Sequence, residues 1–263
     1  MKLADITALV ERLATTDAEC VFCHCSIKGL GLHLAEAVRL IDVLRETLGP
    51  DRTVVVPSFP YATSTAYRQY VASEIRYDVR RTPARVNLFG ELFRRLRDAH
   101  RSLDPVYPIA AVGPLAEELT RENYLDSMPF GPRTGLGRVA AQKACVLGLG
   151  VTVNTNSFAH LLDEPFLARL PVRIYPERPT HATILCDGAF VATGEYYYIT
   201  PEARQAIRPG RIHDVLAGHK FYRSVEGATP CYGLDLREFV EFGNRLARRS
   251  LDAGQLPVWH RTK

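Results

Sequence analysis

A histidine followed at three and four residues by carboxylates is the feature of this sequence best suited to proton transfer. The three residues are His160, Asp163 and Glu164, and they come after the apolar segment Lys143–Leu149. In a helix, side chains three and four residues apart share one face, so either carboxylate can hold the imidazole in the tautomer that a general base requires. The spacing predicts base catalysis by His160 and leaves open which carboxylate orients it.

A glycine-containing loop between a predicted strand and a predicted helix is a second candidate site. Its residues are His24, Cys25, Ser26, Ile27, Lys28 and Gly29. Glycines at 29 and 31 allow a ligand to approach the backbone closely, and the helix start offers unpaired N–H groups to an anion. The loop matches neither GxxxxGK[ST] nor GxGxxG. Taken alone, it is more simply interpreted as a turn that needs glycine for its geometry.

The cysteines indicate buried thiols rather than a metal site. They occupy positions 20, 23, 25, 145, 186 and 231, mostly within apolar segments. The cluster Cys20–Cys25 contains a histidine, but no second CxxC pair completes a four-ligand zinc site. We therefore predict that the protein binds no metal and keeps its cysteines reduced in the cytoplasm.

Composition limits the classes of partner. The net charge of +4 arises from 33 basic and 29 acidic residues among 263, and no apolar stretch is long enough to span a bilayer. A nearly balanced charge without a basic stripe argues against nucleic acid, whereas a mild basic excess suits an anionic small ligand. We expect neither a nucleic-acid nor a membrane partner, and the oligomeric state, a homodimer included, stays open.

The periodicity of apolar residues predicts the elements that must position these candidates. Predicted helices cover Leu3–Thr15, Leu32–Leu48, Asn87–Arg97, Leu115–Arg121, Phe158–Ala168 and Leu236–Leu251. Predicted strands cover Glu19–Ile27, Thr53–Val56, Ile109–Val112, Lys143–Leu149, and, after Pro171, Arg173–Tyr175, Ala182–Cys186 and Glu195–Thr200. Asp187-Gly188 is a turn signal, and the polar stretch Pro60–Arg81 is predicted to be a loop over a site.

These elements predict an α/β protein with three layers, α/β/α. The central sheet is expected to be mixed, parallel in the N-terminal part to about residue 171 and antiparallel in the part from 172 to 263. The whole chain, 1–263, is predicted to form a single domain. Ligands of such sheets gather at the carboxyl ends of the strands, where both candidate segments lie.

Seven motifs in order resemble the aminoglycoside 3-N-acetyltransferase, or antibiotic N-acetyltransferase, family. They are His24–Gly31, with Cys25 in place of a serine; Val56–Phe59; Thr82–Arg85 with Glu91–Arg94; Arg101–Pro105; Ala110–Gly113; Pro129–Pro132; and Asn156–Asp163. The match runs from about Cys20 to Glu164. Beyond Pro171 only the general order of strands agrees.

The resemblance implies a coenzyme-A-dependent N-acyltransferase in which His160 deprotonates an amine that attacks the thioester of acyl-CoA directly. It implies that coenzyme A lies across the loop His24–Gly31, through residues 24 to 29, and across the loop Phe130–Gly137, through Phe130, Gly131 and Thr134. The backbone N–H groups of Ser26–Gly29 are expected to face the thioester oxygen. Residues expected to contact the amine acceptor are Ser58, Tyr61, Asp78, Asp104 and Asn156.

Departures from the family pattern bear on the acceptor. Asp104 and Tyr107 stand where resistance enzymes carry histidines, and five arginines crowd the Pro60–Arg81 stretch and its edge: Arg68, Arg76, Arg80, Arg81 and Arg85. Because arginine favours phosphate and carboxylate groups, the sequence favours a nucleotide-linked amino sugar as the amine acceptor. The alternatives are an aminoglycoside resistance enzyme, a non-catalytic coenzyme A- or nucleotide-binding protein, and a hydrolase using Cys25 or Cys23. The acyl chain length stays open.

Overall fold

The strands at the centre of the molecule are its most apolar segments. The computed structural model describes residues 3–14, 17–207 and 211–260. Within them the strands are β1 (Cys20–Cys25), β2 (Thr53–Pro57), β3 (Ile75–Asp78), β4 (His100–Arg101), β5 (Ile109–Val112), β6 (Ala144–Leu149), β7 (Thr180–Cys186), β8 (Ala189–Tyr196), β9 (Tyr222–Val225) and β10 (Cys231–Asp235). Every residue of β1, β2 and β6 is buried, as expected for strands covered on both faces.

The helices alternate with these strands in the first half of the chain and follow them in the second. They are α1 (Leu3–Leu13), α2 (Ile27–Leu30), α3 (Leu34–Leu48), α4 (Ser64–Ala72), α5 (Leu88–Phe93), α6 (Ala116–Thr120), α7 (Gly135–Ala141), α8 (Pro201–Ala206), α9 (Arg211–Leu216) and α10 (Leu236–Asp252). Short 3₁₀ segments at Ala159–Leu162 and Glu164–Arg169 replace the single helix predicted over Phe158–Ala168. Within the described residues, no helix is both long and apolar enough to cross a membrane.

The central sheet has the strand order β4-β5-β2-β1-β6-β10-β9. Strands β2, β1 and β6 pair in parallel, while β5 and β10 pair antiparallel to them on the two sides. The predicted α/β class with a mixed sheet is therefore confirmed. The distribution differs from the prediction, because antiparallel strands flank the parallel centre on both sides. Since β10 pairs with β6, the change of character near residue 171 does not separate two sheets.

Strand alternation sends alternate side chains of β1 into two different layers. Val21, Cys23 and Cys25 pack with α1 and α3 on one face, whereas Phe22 packs with the core on the other face, where its ring meets that of Phe158 at 5.0 Å. Alternate residues of a strand point to opposite faces, so His24 lies on the Phe158 side. This alternation separates His24 from its neighbouring cysteines and brings it toward the segment that carries His160.

The stretch Pro60–Arg81 contains α4 and β3, so its prediction as a loop was wrong. Strand β3 pairs in parallel with β7, about a hundred residues later, in a second sheet of order β3-β7-β8. The β7–β8 hairpin turns at Asp187 and Gly188, which have φ values of +51° and +87°, and this predicted turn is confirmed. Arg173–Tyr175, in contrast, is not a strand. Thr15, the predicted end of the first helix, lies outside the described residues.

Candidate active site

A cavity of about 600 Å³ opens at the carboxyl ends of the three parallel strands. His24, Cys25 and Ser26 reach it from the end of β1, Pro57 from the end of β2, and the segment 154–160 from beyond β6. Arg204 and Gln205 of α8 and the aromatic side chains of Phe59, Tyr61 and Tyr107 also line it. The cavity therefore lies where open α/β sheets gather their ligands.

His160 lies in the wall of this cavity with one face toward a carboxylate. The residue is 9% exposed, and its Nδ1 lies 3.6 Å from Oδ2 of Asp163. That separation is longer than a hydrogen bond, but the two atoms face each other without another partner among the described residues. Because residues three apart eclipse in a 3₁₀ helix, the local geometry brings Asp163, and not Glu164, behind the imidazole.

Asp163 is held by two side chains from the end of the chain. Its Oδ1 accepts hydrogen bonds from His260 Nε2 at 2.7 Å and from Trp259 Nε1 at 3.2 Å. Burial alone would raise the pKa of this carboxyl, but the facing imidazoles of His160 and His260 outweigh burial and lower that pKa to about 2. Asp163 is therefore a carboxylate at neutral pH and can stabilise a positive charge on His160.

Glu164 points away from the base. Its carboxyl accepts a hydrogen bond from the Tyr175 hydroxyl, and it does not line the cavity. Burial, with a smaller contribution from the charge of Asp163, raises the pKa of Glu164 to about 7. The expectation that both carboxylates share the face of His160 was therefore wrong for Glu164, because the segment is a 3₁₀ turn that ends at Leu162.

His24 is the second histidine at the cavity and is poorly suited to take a proton. Burial lowers its pKa to about 3, and its Nε2 accepts the backbone N–H of Ser157 at 3.2 Å. A neutral ring that already accepts a hydrogen bond from protein has little capacity left for a substrate proton. Its observed contact ties the loop after β6 to the end of β1.

The first predicted coenzyme A loop divides between the cavity and a neighbouring groove. His24, Cys25 and Ser26 line the cavity, whereas Ile27 and Lys28 line a groove of about 650 Å³ that shares Ser26 and Asn87 with it. Burial raises the pKa of the Cys25 thiol well above its usual value. A thiol that stays protonated is a weak nucleophile, which argues against the hydrolase alternative.

Gly29 allows two backbone segments of the protein to pack closely, which differs from the predicted role of letting a ligand approach the backbone. A Cβ atom at this position would lie 2.0 Å from the carbonyl oxygen of Gly150, on the loop after β6. Its N–H donates to Ser26 Oγ, and the Ser26 N–H donates to Leu149 O. Two of the four N–H groups predicted to face the thioester are therefore used within the protein.

The second predicted coenzyme A loop does not reach the cavity through the predicted residues. Thr134 caps α7 by accepting the Gly137 N–H, and Gly131 packs against the carboxylate of Asp126. Phe130 packs against the hydrophobic core. Of the described residues from Phe130 to Gly137, only Leu136 lines the cavity. The hydroxyl of Thr134 is used to form the loop's own turn, and contact of Phe130, Gly131 and Thr134 with coenzyme A stays a prediction.

Two of the five predicted acceptor residues, Tyr61 and Asn156, line the cavity. The Tyr61 hydroxyl donates to Val106 O, so its ring and not its oxygen is available to the cavity. Asn156 accepts the Phe158 N–H through Oδ1. Ser58 is fully buried behind the wall.

Asp78 and Asp104, also predicted to contact the acceptor, hold turns instead. Burial would raise the pKa of Asp78, but four backbone N–H groups donate to its carboxylate and lower that pKa; they belong to Arg80, Arg81, Asp187 and Gly188. Asp104 accepts from the N–H groups of Val106 and Tyr107, and burial raises its pKa to about 6. Nearby backbone donors already engage both carboxylates and neither residue lines the cavity, so their contact with the acceptor stays a prediction that this arrangement does not favour.

The arginines of the Pro60–Arg81 stretch and its edge lie away from the cavity. Arg68 pairs with Glu202 and Arg81 with Asp187, both on the surface, and none of the five lines the cavity. Arg204, which sequence reasoning missed, does line it, with its guanidinium 4.1 Å from the centroid of the Tyr67 ring. It is the only Asp, Glu, Lys or Arg side chain lining the cavity within the described part of the chain.

His260 and Trp259 were also missed. Both lie in the last described residues, after the predicted final helix, and no local pattern marks them. The single tryptophan of the sequence directly before a histidine was the one available signal, because a buried tryptophan needs a partner for its N–H. In residues 3–14, 17–207 and 211–260, no group of three or more His, Cys, Asp or Glu side chains is arranged to hold a metal ion.

Comparisons with known proteins identify the family to which this chain belongs. The sequence model of the family described as aminoglycoside 3-N-acetyltransferase matches residues 22–248. Over 188 residues the chain is 28% identical to aminoglycoside N(3)-acetyltransferase IV of Salmonella sp, a match that covers 72% of this chain and 66% of that protein. The chain therefore spans slightly less than two thirds of that curated relative.

Solved structures share the fold. AAC-IIIb with CoASH superposes with a TM-score of 0.74 at 19% identity, covering 95% of this chain and 97% of the other. A mutant of aminoglycoside acetyltransferase AAC(3)-IVa in complex with apramycin gives a TM-score of 0.68 at 22% identity and covers 98% of both chains. The motifs, the sheet and the family match over residues 22–248 lead to one conclusion: the chain belongs to the aminoglycoside 3-N-acetyltransferase family.

Proposed function

We propose that the protein transfers an acetyl group from acetyl-CoA to an amine of an aminoglycoside, with His160 as the general base. The observation that carries the proposal is the position of His160 in the cavity wall, with the carboxylate of Asp163 facing its Nδ1 at 3.6 Å. Relatives of this family are named for the reaction, and one of similar fold binds CoASH.

The reaction needs one proton removed and one leaving group released. The acceptor is mostly an ammonium ion at neutral pH, so it must lose a proton to expose a lone pair. His160 takes a proton from the attacking nitrogen at Nε2, while Nδ1–H faces Asp163. The N–C bond forms as the C–S bond of the thioester breaks, and the His160 imidazolium gives its proton to the departing thiolate of coenzyme A. The other proton of the original ammonium ion passes to solvent. Asp163 stabilises the imidazolium, because it remains ionised down to acidic pH.

The cavity and its neighbouring groove suit a long co-substrate. They are adjacent, since Ser26 and Asn87 line both, and the exposed Lys28 lies on the groove side. A phosphate-bearing end beside Lys28 and a thioester in the cavity would use the two regions according to their charge. The observed lining thus fits acyl-CoA through Ser26, Ile27 and Lys28.

The family match supports an aminoglycoside as the acceptor, whereas the arginine-rich stretch gives no support to a nucleotide-linked one. A nucleotide-linked amino sugar was favoured on the expectation that Arg68, Arg76, Arg80, Arg81 and Arg85 face the site, and none of them lines the cavity. One observation still favours a second candidate, an amine that also carries an anionic group. Arg204 is the charged residue of the cavity lining, and a polycationic aminoglycoside meets no carboxylate among the described residues of that lining.

A thiol-release assay tests the proposal and separates the acceptors. Acetyl-CoA is mixed with the wild-type protein and with apramycin, gentamicin or sisomicin in one arm, and with a nucleotide-linked amino sugar in the other. We expect turnover in the aminoglycoside arm, and its loss in His160→Ala. Turnover confined to the nucleotide-sugar arm would favour the second candidate, and Arg204→Ala should then raise KM for that acceptor. Binding of acetyl-CoA without turnover in either arm would favour the non-catalytic alternative.

A further inference from the structure

The last described residues of the chain lie directly behind the base. Trp259 and His260 are 1% and 3% exposed, and both donate to the same oxygen of Asp163, at 3.2 and 2.7 Å. Buried donors of this kind are held in place by packing and are not available to solvent. The carboxylate that faces the base in the proposed function is therefore fixed by residues about a hundred positions away in sequence.

The two oxygens of Asp163 have different partners. Oδ1 accepts two hydrogen bonds from the C-terminal segment, whereas Oδ2 faces Nδ1 of His160 at 3.6 Å. A carboxylate with one oxygen held by two donors cannot rotate freely about its Cβ–Cγ bond. Its second oxygen is consequently aimed at the imidazole of His160.

The segment that bears His260 is itself fixed to the cavity wall. His260 forms an antiparallel bridge with Ile207, which lines the cavity, and its N–H donates to Pro257 O at 2.8 Å. The side chain of His260 is thus positioned from the backbone, independently of Asp163. This arrangement allows His260 to impose an orientation on the carboxylate and not simply to follow it.

We infer that His260 is a positioning residue for the base: it donates Nε2–H to Asp163, which in turn holds His160 in the Nδ1–H tautomer with Nε2 toward the cavity. The inference deepens the proposed function and rests on it. His260 does not touch the reacting atoms, so it acts only through Asp163. Trp259 supports the same oxygen by a longer and therefore weaker contact.

Steady-state kinetics of His260→Ala, His260→Gln and Trp259→Phe test the inference. Loss of a hydrogen bond to a charged group should lower kcat roughly 10- to 100-fold in His260→Ala, with KM for acetyl-CoA nearly unchanged. His260→Gln retains an N–H donor of similar reach and should recover part of that loss, and Trp259→Phe should lose less. His181→Ala, which removes an exposed histidine of β7, is the matched control and should keep wild-type kcat.

A double variant separates positioning from general damage. If His260 acts only through Asp163, Asp163→Ala with His260→Ala should be no slower than Asp163→Ala alone. A further fall of the same size as in His260→Ala would overturn the inference, as would a normal kcat in the single variant. Thermal unfolding of each variant identifies those that lose structure.

The tautomer of His160 provides a readout that does not depend on turnover. Long-range ¹H–¹⁵N spectra of the histidine rings, with His160 identified by its absence in His160→Ala, should show the Nδ1–H form in the wild type. His260→Ala should show a mixture of tautomers. A wild type that binds acetyl-CoA but transfers no acetyl group would refute the proposed function, whereas an unchanged His160 spectrum in His260→Ala would refute the positioning role.

Discussion

Two buried aspartates in different regions of the molecule differ in the groups that donate hydrogen bonds to their carboxylates. Asp163, at the carboxyl edge of the parallel strands, is 1% exposed, and Asp78, at the end of β3 in the smaller sheet, is 7% exposed. Hydrogen-bond donors lower the pKa of both below its ordinary value, against the opposing effect of burial. Their donors differ: side-chain rings surround Asp163, while backbone N–H groups surround Asp78.

The difference shows what burial and a lowered pKa can and cannot reveal. A backbone N–H cannot release its proton in this pH range, so the four donors on Asp78 stabilise the turns at residues 78–81 and 187–188 and do nothing else. An imidazole can gain and lose a proton near neutral pH. A perturbed carboxylate is therefore a catalytic candidate only when its partner can exchange protons and that partner borders a cavity.

Removing the base is the strongest way to break this comparison. General-base catalysis contributes on the order of 100- to 10,000-fold, so His160→Ala should lower kcat by about that much and leave acetyl-CoA affinity nearly intact. Raising the pH should restore part of the rate, because more of the acceptor amine is then already deprotonated. The measurement is thiol release as a function of pH, with calorimetry for acetyl-CoA. Near-normal turnover at pH 7 would remove His160 from the mechanism.

Substituting the two carboxylates in parallel compares the regions directly. Asp163→Asn should lower kcat roughly 10- to 100-fold, since an amide cannot stabilise the imidazolium as a charge does. Asp78→Asn should leave kcat within about twofold while it lowers the free energy of unfolding by about 1 to 3 kcal/mol, through weakened turn hydrogen bonds. Equal losses of kcat in the two variants would mean that the distinction between their donors has no functional meaning.

Acid should weaken the region of Asp163 in a defined pH window. The pKa of its carboxyl is about 2 in the folded protein and 3.8 ordinarily. A lowered folded pKa contributes stability above pH 4 that is lost as the pH falls from about 4 to about 2, here about 2 kcal/mol. The stability advantage of wild type over Asp163→Asn, measured by urea unfolding, should shrink by that amount across the window. An advantage that stays constant down to pH 2 would contradict the lowered pKa.

Charge reversal at the surface is expected to have the smallest effect, and it compares the same two regions of the molecule. Lys28→Glu, beside the groove at the carboxyl edge, should weaken acetyl-CoA binding roughly 3- to 10-fold, and less at high salt. Arg76→Glu makes the same charge change on the exposed side of β3 and should leave binding unchanged. Calorimetry at low and high ionic strength measures both. Equal effects would indicate a general response to net charge and no local contact with Lys28.

The sequence was most informative where structure is local. The strands around Phe22, Val55 and Val146 were recognised because their apolar runs are short and continuous. The region around β3 was not recognised as structured, because its partner strand β7 lies about a hundred residues later in the chain. The tyrosines of α4 also count as polar in a hydropathy pattern, although they pack against the core. Of the predicted site residues near strand ends, His24, Cys25 and Ser26 at the end of β1 reached the cavity. Asp78 and Asp104 did not, since backbone donors that no motif displays had already engaged them.

His260 marks the limit of such reasoning. A single histidine near the end of the chain has no periodicity, and its role depends on a tertiary contact with a residue 97 positions earlier. His160, in contrast, was predicted because its partner lies three residues away. In this site, the sequence therefore predicts contacts between residues that are close in the chain and misses contacts between residues that are far apart in it.

The buried cysteines have a practical consequence for studying this protein. All six are free, five of them are buried, and burial raises the pKa of the thiols of Cys20, Cys23, Cys25 and Cys231. Protonated, inaccessible thiols react slowly with disulfide reagents. When such a reagent is used to detect released thiol, the signal therefore comes chiefly from coenzyme A and not from the protein's own cysteines. The same protection makes the cysteines internal reporters of opening: the rate at which a reagent labels them measures how often the strands at the base of the cavity separate.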